Sequence, residues 1–319
     1  MYKIALIGVG QIGIRHLQGL SLSKSPISIE VVDVNSKSLD AAREALKEVP
    51  EFNFEIKYFT DVSYLSYELD VVIIATASVN RGIIIENLLT KSMVKNLIIE
   101  KFMFANLNDY NDVELLLAEK GLLNNTWVNC PRRLFSGYKK LKIEMQGLNF
   151  HYSIVGFNWG LACNSIHFLD LVQMLGSSSI CDIKFDCLEQ KIFPSKRLGY
   201  IEFNGTITAR TNNDCFISLS SFVGAEFKIV ITIVDSHGDR WDIDEKNDMI
   251  SKNGNFWSSI SMKYQSMLTG LIVDSIISNN GCDLPKFSES KELHVRFLTE
   301  SVNFYNKIMG RNGLFCPIT

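Results

Sequence analysis

The stretch YKIALIGVGQIGIRHLQGL, residues 2–20, restricts what this chain can fold into more than any other. A short apolar run of strand character, YKIALI, enters a loop with Gly8, Gly10 and Gly13 at GxGxxG spacing. The following QIGIRHLQGL has helical spacing. Each glycine has its own task in such a turn. Gly8 permits the tight turn, Gly10 lets a pyrophosphate approach the backbone, and Gly13 lets helix and strand pack closely. Gln11 and Ile12 open the helix, whose first N–H groups and positive dipole end suit a phosphate. Asp33 ends the next strand-like run, SIEVVDVN, twenty residues after Gly13. An acid there hydrogen-bonds the adenosine ribose hydroxyls of a dinucleotide. The spacing alone also fits a glycine-rich turn that binds nothing; strand, loop, helix and acid in this order favour the dinucleotide. A carboxylate at 33 repels a 2′-phosphate, and DVNSK places no arginine directly after it, so NAD(H) is expected. Ser36 and Lys37 keep NADP(H) open.

Strand and helix patterns alternate beyond this point. SKSLDAAREALKEV is helical, LDVVIIATAS is a continuous β-branched run, RGIIIENLLTKS is helical, VKNLIIEKFMF is a strand, and NDYNDVELLLAEKGL is a helix with a glycine stop. Such alternation predicts an open parallel sheet with helices on both faces. After about residue 128 the pattern changes. RRLFSGYKKLKIEM reads as a helix and FHYSIVGFNW as extended. Strand-like runs then follow one another from 179 to 245, separated by Asn-Gly, Asn-Asn and Gly-Asp turns, which predicts an antiparallel sheet. Amphipathic helices are expected at about 257–279 and 288–309. The fold class is therefore α/β: a dinucleotide-binding domain over 1–128 and an α/β domain with a large, mostly antiparallel sheet over 129–319. A length of 319 residues suits two cores better than one.

Composition narrows the function. A formal charge of −3, with Lys and Arg scattered, gives no electrostatic footprint for nucleic acid. No stretch approaches the roughly 18 apolar residues of a membrane span. MYKIALIGVG goes straight into a strand pattern without a basic region or cleavage site, and the seven cysteines include no CxxC pair. A cytoplasmic protein with reduced thiols is expected. No His/Cys/Asp grouping has metal-ligand spacing, so no metal is expected.

Two further features carry chemistry. NLIIEKFMF places Glu100 and Lys101 at the end of an apolar strand, and ligands of open α/β sheets bind beyond such ends. Alone, a lysine there is commonly a surface residue. GLACNSIHFLDLVQMLG, residues 160–176, reads as a helix that is apolar nearly all round, yet Asn164, His167 and Asp170 form a stripe at three-residue spacing. Either these groups satisfy one another inside the protein, or they line a site. His167 suits acid–base work because its ordinary pKa lies near neutrality.

Taken together, the glycine loop, the E-K pair and NSIHFLDL resemble the Gfo/Idh/MocA oxidoreductases, the glucose–fructose oxidoreductase and inositol dehydrogenase family, over essentially the whole chain. ATASVNRG lies where that family has its nicotinamide-side loop, and WVNCPRRLFSGYKKLK is similar to the segment entering its second domain, with Arg133 matching its usual arginine. The resemblance implies a Rossmann domain, a second domain whose sheet joins a homodimer or homotetramer, and hydride transfer between nicotinamide and a hydroxyl or keto carbon of a sugar, amino sugar or nucleotide sugar, with a place in bacterial surface-sugar biosynthesis as one expectation. It implies cofactor contacts at Gly8, Gly10, Gln11, Ile12, Gly13, Asp33, Thr76, Asn80, Glu100 and Lys101. Lys101 and His167 would reach the reacting oxygen, with Asn164 beside them; Arg15, Arg133, Tyr138 and Trp159 would touch substrate. Phe102 replaces the family's proline after E-K, Asn164 replaces its acid, and Arg81 stands where a histidine is common. Asn164 can orient a hydroxyl but cannot take its proton, so proton transfer rests on Lys101 or His167. Two alternatives stay open: a non-catalytic protein sensing NAD(H) or a sugar, and sugar redox exchange or glycoside cleavage with tightly bound NAD.

Overall fold

A computed structural model describes residues 1–49 and 54–319. Its contacts divide the chain into two compact units. One comprises Met1–Phe104, Asn108–Pro131 and Lys263–Glu289; the other comprises Ala105–Leu107, Arg132–Met262 and Ser290–Thr319.

The first unit is built on six strands: β1 Tyr2–Ile7, β2 Ile27–Val32, β3 Ile56–Phe59, β4 Val71–Ile74, β5 Leu97–Glu100 and β6 Thr126–Asn129. Their order across the sheet is β3-β2-β1-β4-β5-β6, and every pairing is parallel. This is the doubly wound order, in which the chain reverses direction beside β1 and leaves a crevice at the strand ends. The β-branched run Val71–Ile74 forms β4 and is wholly buried, as a central parallel strand covered on both faces must be. Helices α1 Gln11–Leu20, α2 Ser36–Lys47, α3 Arg81–Lys91 and α4 Leu107–Glu119 are the crossovers. α1 coincides with the helix read from QIGIRHLQGL.

The segment 263–289, read from sequence as part of the second domain, packs with the first unit. It carries α7, Gln265–Asn279, which crosses α1 closely enough that a Cβ on Gly270 would lie 2.6 Å from Gly19 O. Asp274 of α7 fixes the turn after α1, accepting from Ser23 Oγ at 2.6 Å and from the Lys24 N–H at 2.8 Å.

The second unit holds the eight strands β7 Phe150–Phe157, β8 Ile180–Leu188, β9 Gly205–Thr211, β10 Phe216–Phe222, β11 Lys228–Asp235, β12 Arg240–Asp244, β13 Met249–Lys252 and β14 Asn255–Ser259. They lie in the order β8-β9-β10-β7-β11-β12-β13-β14, antiparallel except for β10 with β7. Helices α5 Ser136–Glu144, α6 Leu161–Gly176 and α8 Phe287–Met309 accompany this sheet. Phe185 of β8 and Phe203 meet Phe297 and Phe304 of α8 edge to face, which anchors that helix.

Two sequence expectations shift here. The helix expected from about 257 begins only at Gln265; residues 255–259 are a strand instead. Asn253 and Gly254 both take positive φ, 51° and 80°, and turn β13 back into β14. Asn-Gly is the pairing that such a hairpin demands. LGYIEFNGTITART, one of the strand-like runs expected over 179–245, breaks before Gly205, whose φ of 112° suits glycine, leaving Ile201–Glu202 paired elsewhere with Phe193–Pro194.

Candidate active site

In the first unit the glycine loop has the geometry its spacing implies. Gly8 has φ 90°, and a Cβ there would lie 2.7 Å from Thr76 N. A Cβ on Gly13 would lie 2.0 Å from Gly8 O, so only glycine lets α1 sit this close to β1. A Cβ on Gly10 would meet nothing within 4 Å; the space above the start of α1 is open. Gly10 is the N-cap, no side chain caps the helix, and no acidic residue occupies its first turn. The N–H groups of Gln11 and Ile12 lie in that uncapped turn.

Asp33 closes the loop from the side. Its Oδ2 accepts the Val9 N–H at 2.8 Å and its Oδ1 the Asn35 N–H at 2.9 Å. Each oxygen keeps a second lone pair for a hydroxyl. Thr76 Oγ1 is buried and has no hydrogen-bond partner among the described residues. An orphaned hydroxyl beside Gly8 and an uncapped helix start fit a bound nicotinamide dinucleotide, which would supply both. Asn80, the exposed N-cap of α3, makes no side-chain capping bond.

The end of β5 is held by an extended polar network. His16 Nε2 lies 2.7 Å from Glu100 Oε1, and its Nδ1 lies 3.0 Å from Thr269 Oγ1 of α7. The Asn129 amide donates to Glu100 Oε1 and, at 2.9 Å, to Gln265 Oε1. Burial pushes the Glu100 carboxyl up, but the bond to His16, its charge, the Asn129 amide and the nearby Lys101 ammonium together hold it below the usual carboxylate range. From Leu97 to Phe104 every residue is buried except Lys101. The Lys101–Phe102 peptide bond is cis.

Arg81 reaches this loop from α3. It is 1% exposed, and its Nη1 lies 2.5 Å from Glu100 O, 2.5 Å from Phe102 O and 2.7 Å from Met103 O. Its Nη2 donates to Thr76 O.

In the second unit, α6 answers the question posed by its stripe. From Leu161 to Leu175 every residue is buried except Asn164 and His167. Asp170, one turn further, is 0% exposed and accepts both arms of Arg133, at 2.9 Å and 2.7 Å. So the stripe divides: its last member anchors the helix, and its first two form a window. Asn164 Nδ2 donates to Trp159 O at 2.6 Å and tightens the entry turn, where Gly160 has φ 79°. Glu202 accepts the Ala162 N–H at 2.7 Å, placing a negative charge at the helix start as its dipole prefers.

The residues expected to touch substrate stand in varied places. Trp159 is 3% exposed and donates through Nε1 to Ser220 O at 2.7 Å. Tyr138 is fully buried, its hydroxyl donating to Glu245 Oε1 at 2.7 Å. Glu245 also takes both arms of Arg132 at 2.7 Å. Burial pushes the Glu245 carboxyl up, and Arg132 brings it below its ordinary value. Arg15 is exposed and donates to Gln18 Oε1 at 2.9 Å. Sequence pattern alone assigns His16 no role, yet it closes the network at the end of β5. The signal was there: His16 follows Gly13 by one helical turn, so its ring lies on the face of α1 that packs inward.

Residues 2–128 match the model of the Gfo/Idh/MocA oxidoreductase family, NAD-binding Rossmann fold. They are that family's NAD-binding Rossmann domain. No curated protein matches the chain. Among solved structures, the chain is similar to a UDP-N-acetylglucosamine 3-dehydrogenase from Acidithiobacillus ferrooxidans, at 15% identity over 94% of this chain and 96% of that one, with a TM-score of 0.70. It is similar to myo-inositol dehydrogenase from Lactobacillus casei, solved with NAD(H) and myo-inositol, at 15% identity over 97% and 95% of the two chains, TM-score 0.68. It is also similar to a super-repressor mutant of Gal80p from Saccharomyces cerevisiae, at 14% identity over 97% and 96%, TM-score 0.69. At these identities the likeness carries the fold. The Gfo/Idh/MocA match accounts for the glycine loop, Asp33 and the β5 end alike.

Proposed function

We propose that the chain is an NAD-dependent dehydrogenase or reductase acting on a CH–OH carbon of a sugar, amino sugar or nucleotide sugar, with Lys101, His167 and Asn164 at its reacting oxygen. One observation carries this reading. Two otherwise buried stretches, Leu97–Phe104 and Leu161–Leu175, open only at Lys101 in the first and at Asn164 and His167 in the second. Packing alone gives no reason to leave those three half-buried. The solved dehydrogenases for a nucleotide sugar and a cyclitol, on the same fold, supply the substrate class.

When bound, the nicotinamide supplies the hydride acceptor or donor. The glycine loop and the start of α1 hold the pyrophosphate, and Asp33 accepts from the adenosine ribose. In the oxidation direction, the His167 imidazole or the Lys101 amine takes the hydroxyl proton. As an ammonium, Lys101 stabilises negative charge on that oxygen. Asn164, its nitrogen donating to Trp159 O, keeps Oδ1 as an acceptor that orients a hydroxyl. A role in surface-sugar biosynthesis belongs to the same proposal and rests on the nucleotide-sugar dehydrogenase neighbour alone.

A second copy of the chain is proposed to cover the open face of the large sheet. Val155 and Phe157 of β7, Phe222 of β10, and Val230 and Val234 of β11 point outward at 38–49% exposure. Val155 pairs with Val230 and Phe157 with Phe222, so they form one apolar patch. A Val155→Lys, Val230→Glu variant is expected to elute from size-exclusion chromatography with light scattering as a smaller species than wild type; equal masses would refute the interface.

The second reading is a protein that senses NAD(H) or a sugar without turnover; the one support for it is that a chain of this fold is named as a super-repressor and not as a dehydrogenase. Incubation with NAD+ and a panel of sugars, cyclitols and UDP-sugars, followed by absorbance of NADH, separates the two. Turnover of at least one supports the dehydrogenase. Tight NADH binding with no turnover of any supports the sensor.

A further inference from the structure

We propose that Arg81 is the positioning residue for Lys101: its guanidinium ties the lysine-bearing end of β5 to the Thr76 loop, so that the two loops act as one rigid piece. The proposal rests on the reading of Lys101 as a group on the substrate oxygen. Its geometry is specific. The carbonyls of Glu100, Phe102 and Met103, on both sides of Lys101 in the chain, converge on a single nitrogen, Nη1, and the other arm goes to Thr76 O. A guanidinium stays charged and donates through two separate terminal nitrogens, so one side chain reaches both the end of β5 and the Thr76 loop, which a single ammonium nitrogen does not. Glu100 is held twice, by its carbonyl to Arg81 and by its carboxylate to His16 and Asn129. Phe102, Met103 and Phe104, which follow Lys101, are wholly buried. The backbone around Lys101 is thus fixed from both sides, and Lys101 is the one residue from Leu97 to Phe104 that is half-buried rather than buried.

Arg81 and Phe102 are both places where the sequence leaves the pattern of its family. The structure joins them, since the Phe102 carbonyl is one that Arg81 holds. The arginine does by hydrogen bonding what a proline ring at 102 does by covalent restraint, which is to limit the backbone next to the lysine.

The test is a double-mutant cycle of Arg81→Gln with Lys101→Ala, assayed on a sugar that wild type oxidises, together with NADH titration by fluorescence. Arg81→Gln is expected to lower kcat about 100-fold, the scale set by misplacing a reacting group by about 1 Å. NADH affinity should fall by a smaller factor than kcat, the share that comes from loosening Thr76. In the Lys101→Ala background Arg81→Gln should cost almost nothing further, because it acts through the lysine. Losses that multiply would overturn the proposal, as would a folded Arg81→Gln variant with wild-type kcat. Arg81→Lys keeps the charge without the fork; it should lose about tenfold in kcat and serves if Arg81→Gln does not fold. A readout without turnover is the NMR signal of reductively 13C-methylated Lys101, assigned by its loss in Lys101→Arg. It should move toward the signals of exposed lysines in the Arg81 variant; an unmoved signal contradicts the proposal. Wild-type turnover in Lys101→Ala would overturn the reading of Lys101 itself. A disabled Lys101→Ala beside an active Arg81→Gln would overturn only the role of Arg81.

Discussion

The end of β5 and the helix α6 present their candidate residues by opposite means. Around Lys101 the neighbours are polar and buried: Arg81, Glu100, His16 and Asn129 exchange hydrogen bonds with one another and with backbone carbonyls. α6 is instead apolar along most of its length, and the ion pair of Arg133 with Asp170 fixes it from within. The difference teaches what each group needs. A lysine on a loop lacks the regular backbone bonds of a helix, so side chains must supply them. A histidine on a helix inherits its position from the helix, and packing plus one anchor suffices.

That contrast can be broken at several points. The largest effect is expected at the anchor. Asp170→Ala leaves the Arg133 guanidinium buried without its carboxylate and should cost about 3–5 kcal/mol in urea unfolding. A double replacement by apolar residues of similar volume, Arg133→Met with Asp170→Leu, should recover much of it. If Asp170→Ala costs under about 1 kcal/mol, the pair is not what holds α6.

At the glycine loop the prediction divides between two positions. Gly13→Ala drives a methyl against Gly8 O and should cost at least about 1–3 kcal/mol, as overpacking does, and weaken NADH binding. Gly10→Ala enters open space, so its stability should stay within about 0.5 kcal/mol of wild type while NADH binding weakens. Equal thermal shifts for the two would show that the cradle is not shaped as described.

The smallest effect is the acid response of the two regions. Glu100 in the first unit and Glu245 in the second both have carboxyls held below their ordinary value in the fold. Each therefore adds stability that is complete above the unfolded value of about 4.3, and lost as pH falls through the lower, folded value. Stability should decline from about pH 5 downward. Glu100→Gln should flatten that decline and leave the neutral-pH slope unchanged. A decline that Glu100→Gln leaves as steep as wild type would contradict the paired state of Glu100.

Much of this was legible from residues alone. The spacing of three glycines placed α1, the β-branched run placed β4, and the apolar surround of Asn164, His167 and Asp170 placed α6. What was not legible depends on contacts between distant residues. No periodicity shows that His16 meets Glu100 or that Arg81 gathers carbonyls from another loop. Nor does any spacing show that Tyr138 donates to Glu245 or that Arg133 pairs with Asp170. The strand β14 overlaps the start of the stretch whose spacing reads as helical, and only the Asn253-Gly254 turn before it marks the hairpin.

The most direct test of the account is the pairing of Lys101 with His167 in one reaction. Once a sugar is oxidised by wild type, kcat is measured for Lys101→Ala, His167→Ala and the double variant, with NADH affinity followed in each. The account predicts a loss of about 10²–10⁴-fold for each single variant, NADH affinity changed little in His167→Ala, and a double variant no more than about tenfold worse than the weaker single, because both groups serve the same oxygen. Single losses that multiply in full, or a His167→Ala variant as active as wild type, would contradict it.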